Sequence, residues 1–77
     1  MKYLNELNSG DEVVVSSILA KGALRRRFLD IGIIKGTNIK CVGVSPQGDP
    51  KAFLIRGAVI AIRNKDSANI RIGDTDE

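Results

Sequence analysis

Leu24-Arg25-Arg26-Arg27-Phe28-Leu29-Asp30-Ile31-Gly32-Ile33-Ile34-Lys35-Gly36 is the one stretch with a convincing helical period, and β-rich sequence follows it almost to the end of the chain. At ~100° per residue, Leu24, Phe28 and Ile31 fall on one stripe, the i, i+4, i+7 pattern of a helix lying on a core. Gly32 follows at once, where a left-handed residue ends a helix. Ile33 and Ile34 continue the apolar run as an extended segment. Gly36 then offers the positive φ that a type II turn requires at its third position.

The charges on this helix oppose its dipole. Three arginines sit toward its N-terminal side and Asp30 near its C-terminus, the reverse of the favoured order. Arg26 and Asp30 are i, i+4 neighbours with the cation first, the weaker orientation, worth only a few tenths of a kcal/mol on a surface. Helix stability therefore did not select these residues. They form either a solvated face whose stems cover apolar neighbours or a basic patch presented to a partner.

Outward from the helix, the chain reads as short strands. Residues 3–10 form a short helical turn that packs Leu4 and Leu7 inward and ends at Ser9-Gly10. Val13–Ile18 is β-branched and strand-like. Thr37–Val44 alternates, with Ile39 and Cys41 on one face and Lys40, Val42 and Val44 on the other, and Gly43 marks a bulge or bend. Ser45-Pro46-Gln47-Gly48-Asp49-Pro50 is a dense cluster of turn formers. Ala52–Ile55 and Ala58–Ile62 make a tight hairpin across Arg56-Gly57, with Gly57 supplying the φ of a primed turn. Residues 64–68 have the composition of one helical turn capped by Asn64, and Ile70-Arg71-Ile72 closes the sheet. Five short strands in so small a domain must curl or leave exposed edges. The expected fold is mainly β: a small, partly open SH3-like barrel with one amphipathic helix after the first strand and a one-turn helix before the last. A five-stranded OB-type barrel is the alternative.

Seventy-seven residues make one domain, expected to span 1–77, with residues 73–77 a frayed acidic tail. A chain this short buries only about 60–65% of its unfolded surface and needs efficient packing. Cys41 is the only cysteine, so no intrachain disulfide forms, and an unpaired thiol suits a reducing compartment. There is no histidine, which removes imidazole metal ligands and histidine general bases. No apolar run reaches membrane-spanning length, and the N-terminal residues lack a signal-peptide core. The reading is a cytoplasmic protein with no direct membrane insertion. The net charge of +3 is uneven: Asp74, Asp76 and Glu77 crowd the end, so residues 1–73 carry twelve bases against six acids. That bias suits an anionic partner.

Ordered matches along the chain resemble one family. Arg27-Phe28-Leu29-Asp30-Ile31-Gly32-Ile33 followed by Lys35-Gly36-Thr37 is similar to the R-L-x-D-L-G-hydrophobic…P-G-T segment of the FeoA family. Gly48-Asp49-Pro50, Ile55-Arg56-Gly57, Ile60-Ala61-Ile62-Arg63 and Ala68-Asn69-Ile70 resemble its G-D-P…RG…IALR…A-x-I pattern in the same order. The likeness runs from about Leu4 to Ile72. Lys35 departs from it, standing where the family often has proline, and forgoes a preset φ at a turn. The resemblance implies an SH3-like fold and a small cytoplasmic accessory or regulatory protein of bacterial ferrous-iron uptake. It further implies a partner, the cytosolic GTP-binding part of a FeoB-type transporter. A related domain occurs in iron-dependent repressors, but these residues include no DNA-binding helical half.

The residues themselves offer little chemistry. A durable ferrous site needs imidazole, thiolate or carboxylate groups converging on one point, and this chain has one strand cysteine and scattered carboxylates. A lone strand cysteine usually packs as a small hydrophobe. No metal site and no cofactor are expected. Without a catalytic base pair, G-x-S-x-G or a phosphate loop, the chain does not read as an enzyme. Proline-rich peptide grooves are lined with aromatics, and Tyr3, Phe28 and Phe53 are the only ones here. The expectation is a protein–protein interaction module whose docking residues are Arg25, Arg26 and Arg27 of the helix and Pro46, Gln47, Asp49 and Pro50 of the loop. The alternative is a basic SH3-like nucleic-acid-binding or regulator-associated domain, in which Lys35, Lys40, Arg56, Arg63 and Lys65 extend the arginine run along a phosphate backbone. The scarcity of stacking aromatics argues against it, and no nucleic acid is expected.

Overall fold

β-Branched and alternating residues make the strands, and their pairing fixes the architecture. In the computed structural model, which describes residues 2–73, β1 (Glu12–Ile18) and β2 (Asn38–Val44) run antiparallel with Val13 opposite Ile39. β3 (Lys51–Ile55) follows β2, and β4 (Ala58–Ile62) folds back on β3 in full register from Lys51↔Ile62 to Ile55↔Ala58. β5 (Ile70–Gly73) returns to pair with β1, giving the strand order β4-β3-β2-β1-β5. The sheet is antiparallel throughout and curls without closing, the partly open barrel expected. Strands β1 to β4 adjacent in chain order, with β5 beside β1, are the SH3-like arrangement. An OB barrel would not carry a β3–β4 hairpin.

Two irregularities bend the sheet. The β2–β3 register shifts between Cys41 and Gly43, so Val42 and Gly43 together oppose Ala52, the bulge that Gly43 signalled. β1 shifts against β5 between Val15 and Ser17, an irregularity with no glycine or proline to announce it. Bulging sharpens local twist and turns a flat sheet around its own core. The inward face carries Val15, Ile39, Cys41, Phe53, Ile55, Ile70 and Ile72, all buried.

Helices and loops close the ends. A 3-10 turn, Leu4–Glu6, inserts Leu4 and Leu7 fully into the core. Ahead of it, the Lys2 carbonyl accepts the Ile72 N–H at 2.9 Å and Tyr3 bridges to Arg71, so the outer edge of β5 is covered. α1 (Gly22–Ile31) lies on the core through Phe28, with Leu24 and Ile31 packed beside it, the stripe read from the sequence. α2 is one turn, Asn64–Ser67. Beyond α1, Ile33 is buried but Ile34 is half exposed. Ile34 opens a turn closed by Thr37 N–H on the Ile34 carbonyl at 3.0 Å, with Gly36 at φ 92° in the third position. Gly73, expected to begin the tail, is the last residue of β5 and pairs with Val14. The rest of the expected tail, residues 74–77, lies outside the described residues.

Phe53 fills the middle of this core at 0% exposure. Truncating Phe53 to Ala is expected to cost about 3–5 kcal/mol, a large part of the stability of a domain this size, and to show as an early urea midpoint.

Candidate partner-docking site

α1 is positioned from its C-terminal end. No side chain caps its start at Lys21, but its last turn is closed three times. Gly32, at φ 99°, donates its N–H to the Phe28 and Leu29 carbonyls, and the Ile33 N–H returns to Phe28 at 2.9 Å. The Gly32 carbonyl accepts Arg56 Nε–H at 2.7 Å and the Thr37 hydroxyl at 3.3 Å, while Thr37 Oγ1 accepts the Ile34 N–H at 3.0 Å. Arg56 belongs to the two-residue β3–β4 turn, where it adopts φ 49° and Gly57 φ 84°. Both central residues of this turn are left-handed, as type I′ requires, whereas the sequence pointed to Gly57 alone. Arg56, read as part of a basic strip, is exposed and also ties the helix to the hairpin.

The Ser45–Pro50 loop is equally held. Gly48 N–H donates to the Ser45 carbonyl at 2.7 Å, and Ser45 Oγ donates to the Pro50 carbonyl at 2.6 Å. Asn64 was expected to cap α2, but the cap position falls on Arg63, whose side chain makes no capping bond. The cap comes from the loop: Asp49 Oδ1 accepts the Asn64 N–H at 2.8 Å, and Asn64 Nδ2 donates to the Gly48 carbonyl at 2.9 Å. Asp49, a candidate docking residue, thus holds the first turn of α2. Lys51, at the base of the loop, donates its ammonium to the Leu7 and Asn5 carbonyls and anchors the N-terminal turn.

These ties leave a cleft of about 540 Å³ between α1 and the end of β4. Leu24, Phe28, Ile31 and Ile62 give it an apolar floor, and Pro50 of the loop lines it. Arg27, Arg63 and Lys65 stand around it, with Asp66 the one acid. Of the seven candidate docking residues, the structure brings Arg27 and Pro50 to this cleft. Arg25, Arg26, Pro46 and Gln47 are exposed outside its lining. Arg63 and Lys65 complete a rim that sequence reading assigned only to a phosphate-following strip. A second recess of about 390 Å³ lies between the Gly36–Lys40 segment and the β3–β4 turn. Cys41 is buried with its Sγ 3.6 Å from the Gly43 carbonyl, and no group of three metal-ligating side chains converges among the described residues. No helix among them is long and apolar enough to cross a membrane.

Comparison with known proteins places this architecture. The profile of the FeoA domain family matches residues 2–73. A fusion protein of Porphyromonas gingivalis, Fe(2+) transport protein A joined to Fe(2+) transporter FeoB, is 32% identical over 69 residues. That match takes in 90% of this chain and 8% of the fusion protein's length. Among solved structures, the FeoA protein of Chlorobium tepidum superposes with a TM-score of 0.86 at 32% identity, over 95% of this chain and 70% of that one. FeoA of Stenotrophomonas maltophilia, a prokaryotic SH3 domain protein solved in complex with zinc, gives 0.82 at 26% identity, over 95% and 89%.

Two side-chain ties are directly testable. A Cβ on Gly32 would lie 2.7 Å from Arg56 Cδ. Gly32→Ala is therefore expected to cost at least the ~1–2 kcal/mol of a left-handed non-glycine residue. A double-mutant cycle with Arg56→Ala should show the penalty shrinking, because the clash leaves with the arginine. Asp49→Ala is expected to lose about 1 kcal/mol and to accelerate hydrogen exchange at the Asn64 amide.

Proposed function

The chain belongs to the FeoA domain family, and from that premise we propose that it is a non-enzymatic accessory module of bacterial ferrous-iron uptake. In this reading it is cytoplasmic and docks on the cytosolic GTP-binding part of a FeoB-type transporter, regulating it. The observation that carries the proposal is the Porphyromonas gingivalis fusion, in which a segment similar to this chain shares one polypeptide with FeoB. Covalent linkage raises the effective concentration of two modules for each other, an arrangement that suits partners which also meet as separate chains.

The docking surface follows from charge and rigidity. Arg25, Arg26 and Arg27 are exposed at the fourth to sixth of the ten positions of α1, nearer its middle than the start the sequence suggested, so the helix dipole bears little on them, and three exposed cations suit an anionic partner face. The neighbouring loop is fixed by its own hydrogen bonds, so little entropy is lost when it is buried against a partner. Rim charges of this kind act mainly on association rate and salt dependence.

The test is an NMR titration of the isotope-labelled protein with the purified GTP-binding part of the transporter, with and without a GTP analogue, and with a short DNA duplex as control. Shifts confined to the α1 face or the Ser45–Pro50 loop, silent toward DNA, support docking. Shifts with DNA and none with the transporter part overturn it. Arg25→Glu combined with Arg26→Glu should keep the native circular dichroism spectrum and weaken binding about tenfold at low salt, with the difference narrowing as salt rises.

A further inference from the structure

We propose that the groove between α1 and the β4 edge binds an extended peptide segment of the partner, one carrying a large apolar side chain flanked by carboxylates, as an added strand. β4 is the terminal strand of the sheet, next only to β3. Because the Arg56-Gly57 turn has two residues, the Ile55↔Ala58 pair that closes it exchanges both backbone hydrogen bonds, and bonded pairs alternate from there. Phe53↔Ile60 and Lys51↔Ile62 are then bonded. Val59 and Ala61, opposite Leu54 and Ala52, turn their N–H and C=O groups away from β3. The far edge of the sheet is handled differently, since Lys2 and Tyr3 cover β5. Among the described residues, nothing plays that part for β4.

What lies beside this open edge determines the occupant. Ala61 lines the same cleft as Leu24, Phe28 and Ile31 of α1, so the open edge of β4 reaches an apolar floor at Ala61. An unpaired strand edge beside an apolar cleft is the setting for strand addition, in which main-chain bonds supply affinity and a pocket selects alternate side chains. Arg27, Arg63 and Lys65 against Asp66 leave two excess positive charges around the cleft, which favours carboxylates on both sides of the inserted apolar residue. A second copy of the chain fits less well. Self-pairing of β4 with Val59 opposite Ala61 would set Arg63 opposite Gly57, and Ala58–Arg63 carries no carboxylate to meet the basic rim. The proposal rests on the docking reading and specifies what is recognised: a short acidic, apolar, extended segment.

The probes are four synthetic peptides, Asp-Glu-Val-X-Val-Glu-Asp with X as Leu, Ile, Phe or Met, and four counterparts with lysine for every acid, titrated into the isotope-labelled full chain. At least one acidic peptide should give saturable shifts below about 1 mM at Ala61, Ile62, Arg63 and the α1 stripe, with slowed exchange at the Val59 and Ala61 amides. Arg63→Glu should weaken that binding about tenfold. Ala61→Pro removes an edge N–H that β3 does not use, a substitution edge strands accept, and should abolish binding. No acidic peptide binding, equal binding of the lysine peptides, shifts confined to the outer face of β2 and β3, or peptide-independent shifts that grow with protein concentration each overturn the proposal. A groove that binds peptide in a protein silent toward the transporter part leaves the groove and removes the docking reading. Transporter binding at Arg25 and Arg26 with the groove silent does the reverse.

Discussion

The Gly32 carbonyl, at the end of α1, is held by Arg56 Nε–H and by the Thr37 hydroxyl. Terminal carbonyls of a helix have no partner within it, and here one of them joins three segments at a point. Thr37 leads into β2, and Arg56 sits at the tip of the β3–β4 hairpin. The tie therefore sets where α1 lies against the hairpin, and with it the width of the cleft between them. Glycine at 32 is required twice over, by its left-handed φ and by the approach of the Arg56 side chain.

Long side chains do elsewhere what a disulfide or a metal does in many small domains. Lys51 holds the N-terminal turn by two carbonyls, and Asp49 caps α2 from another loop. Each bond contributes modestly, about 0.5–1.5 kcal/mol and more where the donor is charged. Their value lies in geometry, because each spans segments far apart in sequence. The same economy governs the sheet edges. One is sealed by two N-terminal residues, and the other is left open beside an apolar floor with a basic rim.

Much of this was legible in the residues. The Leu24, Phe28, Ile31 stripe, the helix stop at Gly32, the type II turn at Gly36 and the bulge at Gly43 are local, because a period or a single φ encodes them. The strand count already favoured the SH3-like barrel over the OB alternative, and the family motifs agreed with it. What escaped reading is long-range. Arg56 and Gly32 are 24 positions apart, and Lys51 and Asn5 are 46 apart. No local pattern marks an arginine as a strap rather than a surface charge. The cleft was hidden for the same reason: Arg27, Pro50 and Arg63 come from a helix, a loop and a strand end, and only the fold makes them neighbours. The exchange of cap between Asn64 and Asp49 shows a local rule overridden by a better acceptor from outside the helix.

β1 lies between β2 and β5, so its two edges are satisfied at different stages of chain assembly. The partners on one side lie about 24–28 positions downstream, those on the other about 52–59. Contacts of such separation carry a loop-closure cost before they contribute, and they slow folding relative to hairpins such as β3–β4. During synthesis the four-stranded meander can form while the second edge of β1 is still bare, and it stays bare until residues near 70 leave the ribosome. The last strand made is thus a lock on the first, and the N-terminal residues that cover β5 find their place only after it has arrived.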